Sequence, residues 1–358
     1  MKHLHAINKI PGVGPQKMKM LLSFFGEPEK IWNAKLEELV ASKVGEKLAE
    51  RIILERNSIN PDAEWERLER ENIKIITLNC LDYPCLLKES HNPPYILYYQ
   101  GDSKLMTMPM IAIVGSRKYT AYGAQVAQTF ARDLVSSGFI VVSGMAMGID
   151  TFAHRGALDQ KGKTIAVLGN SLDAENIYPQ VNFNLSREII GNGLLLSEYP
   201  PETKAGPLTF PARNRIVAGM TLGTIVVEAG EKSGALITAR MALENNREVF
   251  SVPGSIYSPQ SIGTHSLIKQ GAKLVASVKD ILEELNLEET SSENAKTEKI
   301  PETESEKILL KILSTDPLHI DNITKLAKLN TSACSGALAM MEIKGWVKNI
   351  GGQNYIIT

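Results

Sequence analysis

The 358-residue chain is short of cysteine, of aromatic side chains and of net charge, and it has no long hydrophobic run. Three cysteines (Cys80, Cys85, Cys334) exclude a disulfide scaffold. Cys80 and Cys85 frame a Leu-Asp-Tyr-Pro turn with His91 downstream, but no second ligand pair stands at finger or ribbon spacing. No metal site is expected, and the thiols read as small buried apolar groups. No run reaches the roughly 18 apolar residues that a membrane helix needs. The start, Met-Lys-His-Leu-His, lacks the apolar core of a signal peptide. A reducing cytoplasm with no membrane partner is the expectation. With 43% hydrophobic and 22% charged residues, the chain as a whole is built to fold rather than to stay disordered. A formal net charge of −1 argues against a polyanion partner, provided that the charge is evenly spread.

Motif absences narrow the chemistry further. There is no Gly-x-Gly-x-x-Gly dinucleotide fingerprint and no Gly-x-Ser-x-Gly nucleophile elbow. Gly162-Lys163-Thr164 resembles the end of a phosphate-binding loop, but Ala157 stands where the first glycine belongs and the tripeptide precedes a strand. No nucleophile, histidine and acid form a convincing set. The expectation is a protein without catalytic residues or a cofactor. No internal repeat is present.

The charge is not even. Residues 283–306 hold nine glutamates against two lysines, a local −7, which leaves +6 on the rest of the chain. This stretch is too poor in apolar residues to offset its ordering entropy and reads as a disordered acidic linker. Around it the chain divides into a helical unit (1–70), a connector punctuated by proline (71–108), a core (109–282) and a C-terminal unit (307–358). In the first unit, helices are expected over 6–10, 16–25, 35–41 and 45–56, with Pro11-Gly12-Val13-Gly14-Pro15 forming a hairpin able to hold a phosphate or simply to pack. In the connector, 73–77 is a strand candidate and 95–99 a further run. The core alternates apolar runs (110–114, 139–142, 164–168, 194–197, 224–227, 248–252, 273–276) with helical periods. That pattern predicts an α/β fold, a doubly wound and mostly parallel Rossmann-like sheet. The last unit reads as three helices and a hairpin, a winged helix. Six lysines against Asp316, Asp321 and Glu342 give it +3, but its third helix carries hardly any base-reading side chain. Protein contact suits this module as well as DNA contact does.

In an open α/β sheet, ligands bind where strands end and helices begin. Gly115-Ser116-Arg117 joins a close-approach glycine, a hydroxyl and a forked cation ahead of a helix start near Thr120. The plain alternative is a turn with an exposed arginine. Ser143-Gly144-Met145-Ala146-Met147-Gly148-Ile149-Asp150 supplies a second wall, with Asp150 or Thr151 available as a cap and His154 as a packed histidine. Phe210-Pro211-Ala212-Arg213-Asn214-Arg215 sets an aromatic face beside two arginines, although these can equally pair with carboxylates such as Glu228. Ser233 and Gly234 open a further helix after Val227-Glu228-Ala229, and Val252-Pro253-Gly254 ends another strand.

As an ordered set these motifs resemble the DNA-processing protein A family (DprA, also called Smf). The resemblance runs through Val114-Gly115-Ser116-Arg117, Ser143–Asp150, Thr164–Gly169, Tyr178-Pro179, Ser197-Glu198, Phe210–Ile216, Val227-Glu228-Ala229, Ser233–Ala239 and Val252-Pro253-Gly254. It extends upstream to Asp82-Tyr83-Pro84 and Asn92-Pro93-Pro94. It implies a helix-hairpin-helix or sterile-alpha-motif-like N-terminal domain and a C-terminal winged helix. It also implies a homodimer that binds single-stranded DNA and helps to load the RecA recombinase in natural transformation. Carried over by position, Gly115, Ser116 and Arg117 grip a phosphate, Ser143, Gly144 and Gly148 line the pocket, and Arg213, Asn214 and Arg215 stand on its rim. Ser233 and Gly234 join them, with Phe210 as a stacking platform and Lys204 as a backbone contact. Gln180, Met147 and Asn170-Ser171 depart from the family's usual residues. The rival reading is a nucleotide N-glycosidase of the Rossmann type. It lacks that group's Pro-Gly-Gly-x-Gly-Thr-x-x-Glu run, of which Val227-Glu228-Ala229-Gly230 is a faint echo.

Overall fold

In the computed structural model, residues 1–287, 301, 303–314, 318–344, 346–349 and 351–357 are described. Residues 1–291 form one compact unit and 292–358 another. The middle of the acidic stretch, 288–300, lies outside the described residues. Its flanks are helical. Glu283 and Glu284 end one helix and Glu304 begins another.

The chain opens with six helices: α1 (Lys2–Asn8), α2 (Pro15–Phe25), α3 (Pro28–Asn33), α4 (Leu36–Ala41), α5 (Glu46–Glu55) and α6 (Pro61–Arg70). The first begins earlier than the sequence pattern suggested, because Leu4, His5, Ala6 and Ile7 are all buried. The sequence reading also missed α6, although its start is well marked. Pro61 occupies the first turn, and the Asn60 side chain accepts from the Asp62 and Ala63 amides.

Nine strands form one sheet: β1 (Lys74–Thr77), β2 (Ile96–Gly101), β3 (Met110–Val114), β4 (Ile140–Ser143), β5 (Thr164–Val167), β6 (Leu194–Ser197), β7 (Gly223–Val226), β8 (Glu248–Ser251) and β9 (Lys273–Leu274). Their order is β1-β2-β6-β5-β4-β3-β7-β8-β9. The strands from β3 to β9 pair in parallel. The connector adds β1 and β2 as an antiparallel flank, with Tyr98 opposite Ser197. The sequence offered the first of these segments as a strand and the second only as a run, and placed neither in the core's sheet. The chain leaves β3 toward β4 on one side and returns as β7 on the other, so the topological switch point lies between β3 and β7.

Alternation along the strands explains how both faces are covered. Ile111 and Ile113 pack with Ala127, Ala131 and Ala153, on α8 (Ala121–Ser136) and α9 (Ile149–Asp159). Ala112 and Val114 face the opposite side. There they meet Ile216 and Ala239, on α11 (Thr209–Gly219) and α12 (Gly234–Glu244), beneath the short α7 (Cys85–Lys88). The N-terminal helices share an apolar cluster with Tyr98, Ala166 and Leu195 of the sheet and with Leu185 and Ile189 of α10 (Phe183–Asn192). Tyr98 is fully buried, and its hydroxyl lies 2.9 Å from His5 Nδ1 and 3.1 Å from Asn8 Nδ2, so α1 is stitched to the sheet. The helices α13 (Ile262–Lys269) and α14 (Val278–Glu284) complete this unit.

The second unit contains α15 (Glu304–Ile312), α16 (Ile320–Ala327), α17 (Thr331–Ile343) and the three strands β10 (Leu318–His319), β11 (Val347–Asn349) and β12 (Asn354–Ile357), ordered β10-β12-β11. Leu309, Ile323, Leu338 and Met341 make its core. Cys334 is buried as expected, whereas Cys80 and Cys85 are exposed, because the turn-rich segment that carries them lies on the surface. Among the described residues, no helix is long and apolar enough to cross a membrane.

Two buried histidines predict an acid sensitivity. Burial lowers His154 to about 3, with Arg213 adding to the effect, and burial lowers His5 to about 3, helped by Lys9 and Arg67. Both titrate near 6.5 when unfolded, so the unfolded chain binds more protons below that pH. Stability is expected to fall as pH drops from about 6.5 toward about 3. The slope should be at most about 1.4 kcal/mol per pH unit for each histidine. Asp150 and Glu198, which burial raises, offset it at the acid end. Urea titrations across pH should show this slope, and His154→Asn should remove part of it.

Candidate nucleic-acid interface

A cleft of about 600 Å³ opens at the switch point, at the carboxyl ends of the parallel strands. Of the residues singled out from the sequence, Gly115, Ser116, Arg117, Gly144, Phe210, Arg213, Asn214, Ser233 and Gly234 line it. Lys118, Lys232, Gln260 and Thr238 also line it but had not been nominated. Lys118 follows Arg117 directly, and Lys232 sits in the loop that runs from Glu228 to Ser233, so their positive charge was a usable signal. Gln260 arrives from the loop between β8 and α13, and nothing in its local sequence marks it.

The first loop is held from beneath. The Ser116 amide donates to the Glu228 carbonyl at 2.7 Å. Ser116 Oγ donates to the Lys118 carbonyl and accepts from the Lys118 amide, so its hydroxyl shapes the loop rather than standing free for a ligand. Thr120 caps α8 by accepting from the Gly123 amide. The Thr120 amide and hydroxyl both donate to the Glu228 carboxylate, at 3.0 and 2.5 Å. Glu228 is therefore not the partner of an arginine. Arg117 is left exposed, and its guanidinium carbon lies 5.2 Å from the Phe210 ring centre. Tyr178 stands beside Phe210, with ring centres 5.6 Å apart. Together they make a cation-aromatic platform at the cleft mouth.

The second loop takes a different role from the one expected. Asp150 does not cap α9, whose first position is preceded by Gly148. Its carboxylate turns back and accepts from the Gly144 and Ala146 amides at 3.2 and 3.3 Å. Ser143 is fully buried and donates to the Ile113 carbonyl, so it faces the sheet and not the cleft. Gly148 also stays outside the lining. It has a φ of +88°, and a Cβ there would strike the Ser116 carbonyl at 2.4 Å. Glycine is required because the two loops touch each other. His154 is packed inside, with Nδ1 2.7 Å from Thr164 Oγ1.

The two arginines of the third segment separate. Arg213 is only 4% exposed and does not project from the rim. It donates to the Gly144 carbonyl at 2.5 Å and to the Val167 carbonyl, and its Nε donates to Asn214 Oδ1 at 3.1 Å. Burial depresses the pKa of Arg213, while the nearby Asp150 charge opposes that shift. Burial raises Asp150 in turn, and Arg213 and the two loop amides oppose it. Arg215 lies on the other flank of α11. It pairs with Glu198 and donates to the Asn92 carbonyl at 2.7 Å. Lys204 is exposed on the loop before α11 and lies outside the cleft lining. The reason for the split is helical spacing. Residues 213 and 215 of one helix are about 200° apart, so they cannot share a face.

The fold and this cleft define a Rossmann-like α/β protein with a cation-rimmed, aromatic-edged opening at its switch point. Sequence comparison narrows the class. Residues 74–286 match the family described as DNA recombination-mediator protein A, residues 293–353 the DprA winged helix domain, and residues 5–58 the SAM-like helix-hairpin-helix tandem. The chain is 37% identical to Protein Smf of Synechocystis over 98% of its own length and 97% of that protein. It is 44% identical to the DNA processing protein DprA of Bacillus subtilis over 60% of its length and 72% of that protein. The chain belongs to the DprA/Smf family. In structure it is similar to DNA processing protein A of Streptococcus pneumoniae (TM-score 0.70, 35% identity, 79% of this chain and 98% of that one). It is also similar to DNA processing protein A of Helicobacter pylori, described for its single-stranded DNA binding mode (TM-score 0.53, 34% identity, 60% of this chain and 96% of that one).

The arginines should separate by stability. Arg213→Ala strands two buried carbonyls and leaves Asp150 buried without its cation, and it is expected to cost about 3 kcal/mol or more. Arg117→Ala, at an exposed position, should stay within about 0.5 kcal/mol of the parent. Urea denaturation followed by circular dichroism measures both.

Proposed function

We propose that this protein binds single-stranded DNA at the cleft and acts in DNA processing, without catalysing a reaction of its own. The observation that carries the reading is the exposed Arg117 guanidinium over the Phe210 ring, with Tyr178 beside it. A guanidinium pairs with a phosphate, and an aromatic ring stacks a base of any sequence at about 1–3 kcal/mol. Lys118 and Lys232 add positive charge around the opening, where Glu231 and the buried Asp150 are the lining carboxylates. α12 opens beside the cleft at Ser233 and Gly234 and offers amides to an anion. The described binding mode of the H. pylori relative supports the same ligand class. Asn214 belongs to the wall, whereas Ser143, Gly148 and Arg213 serve by shaping it. Arg215 is a support on the far flank, and Lys204 is a peripheral contact. We further propose that the protein works as a homodimer, inside the cell, that helps to load the RecA recombinase. The division into a helical unit (1–70), connector (71–108), core (109–282), acidic linker (283–306) and winged helix (307–358) is part of this reading.

The glycosidase alternative would draw on Glu228, the carboxylate of the faint motif echo. Both Glu228 oxygens accept from Thr120, which does not favour it. Anisotropy titration with a labelled oligothymidine at several salt concentrations tests the proposal. Arg117→Ala should weaken binding and lower the salt slope by about one or less. Phe210→Ala should cost about 1–3 kcal/mol and leave the slope nearly unchanged. No single-strand binding by the parent, or release of free base from a nucleoside monophosphate that Glu228→Gln abolishes, would overturn it.

A further inference from the structure

The loop from Pro200 to Thr209 carries Lys204 and delivers Phe210 to the cleft mouth. It is held from outside the core by the N-terminal helices. At its tip Glu202 adopts a φ of +73°, in the left-handed region that non-glycine residues rarely occupy. The Glu202 carboxylate meets Lys9 Nζ at 3.0 Å, just past the end of α1, and Arg67 Nη1 at 2.6 Å, on α6. Lys9 is also 2.6 Å from Glu64, and Arg67 Nε is 3.0 Å from Glu71. The two cations are largely buried, with side chains 12% and 23% exposed, whereas Glu202 is 60% exposed. The cations are thus also engaged by Glu64 on α6 and by Glu71 just past its end, and the loop supplies the remaining carboxylate. The bonds from Arg67, then Lys9, hold Glu202 below the usual carboxylate range.

On its other side the loop is tied to the end of β5. The Glu202 amide donates to Asp173 Oδ1 at 3.2 Å, and the Ser171 amide and hydroxyl donate to the Thr203 carbonyl at 3.0 and 2.9 Å. A turn closed by Thr209 on Gly206 then leads straight into Phe210. A single exposed ion pair contributes little, but a five-charge network on partly buried cations fixes where a loop sits.

We propose that the N-terminal helical unit is a positioning element for the cleft, acting through Glu202 on the loop that carries Lys204 and presents Phe210. The proposal rests on the single-strand reading of the cleft. Glu202 itself is not among the lining residues, so it acts through the chain and not on the ligand.

Charge alone and positioning give opposite signs. Removing the negative Glu202 lessens repulsion toward a polyanion, so a pure charge effect tightens DNA binding. A positioning role weakens it. With the full chain and labelled oligothymidine, Glu202→Gln is expected to weaken binding roughly threefold to tenfold. Arg67→Gln should weaken it similarly, and the double variant should be no weaker than the worse single variant, because both remove one interaction. Without DNA, amide exchange across 199–209 should quicken in Glu202→Gln while β3–β6 stay protected. Tighter or unchanged binding in Glu202→Gln, or a double variant that returns to the parent affinity, overturns the proposal. If the parent binds no single strand, or Arg117→Ala has no effect, the single-strand reading fails by itself. The exchange measurement then decides separately: unchanged exchange in 199–209 overturns the coupling.

Discussion

The cleft depends on one buried cation. Arg213 rises from α11 and takes the carbonyls of Gly144 and Val167, which end β4 and β5, while the carboxylate of Asp150 lies nearby and collects the amides of the same β4 loop. Strand ends in a parallel sheet leave backbone groups unpaired, and buried unpaired groups are costly. A guanidinium with several fixed donors can satisfy carbonyls from two strands at once. The glycine at 144 follows from this, since a Cβ there would sit 2.4 Å from the Arg213 guanidinium. The loop that lines the cleft is therefore shaped from behind by a charge that does not itself stand free.

The first loop follows the same logic with opposite sign. Glu228, only 3% exposed, takes the amide and hydroxyl of Thr120 and so fixes the start of α8. With that carboxylate engaged inside, Arg117 is left outward against Phe210. A buried acid and a buried base thus brace adjacent strand ends, and the cleft's exposed cations are those that neither brace consumes. The N-terminal helices join the same system through Tyr98 on one side and through Glu202 on the other. The helical segment is consequently part of one compact unit with the sheet.

Much was legible beforehand because parallel strands covered on both faces must be apolar throughout. The runs near 110, 140, 165, 195, 225 and 250 all became strands for that reason. Of the connector's strands the first was readable as a strand, but neither was readable as an antiparallel flank of that sheet, since pairing is a long-range choice. Cys80 and Cys85 were misjudged because thiol burial is a tendency of the residue type, and the Pro-punctuated turn around them overrode it.

The sequence alone determined the class of fold, the strand-end loops and the chemical types gathered there, because periodicity, glycine placement and motif order are local properties. The net charge was misleading until it was divided along the chain. Tertiary structure alone decided which of the chosen residues line the cleft. Ser143 and Gly148 stayed outside the lining, Arg213 lines it but is engaged by backbone carbonyls, Arg215 turned to the far flank, and Lys118, Lys232 and Gln260 came to the opening. The reason is that a charged or polar side chain in a loop can serve a ligand or an orphaned backbone group. Which of these it meets depends on strand ends brought together from distant parts of the chain.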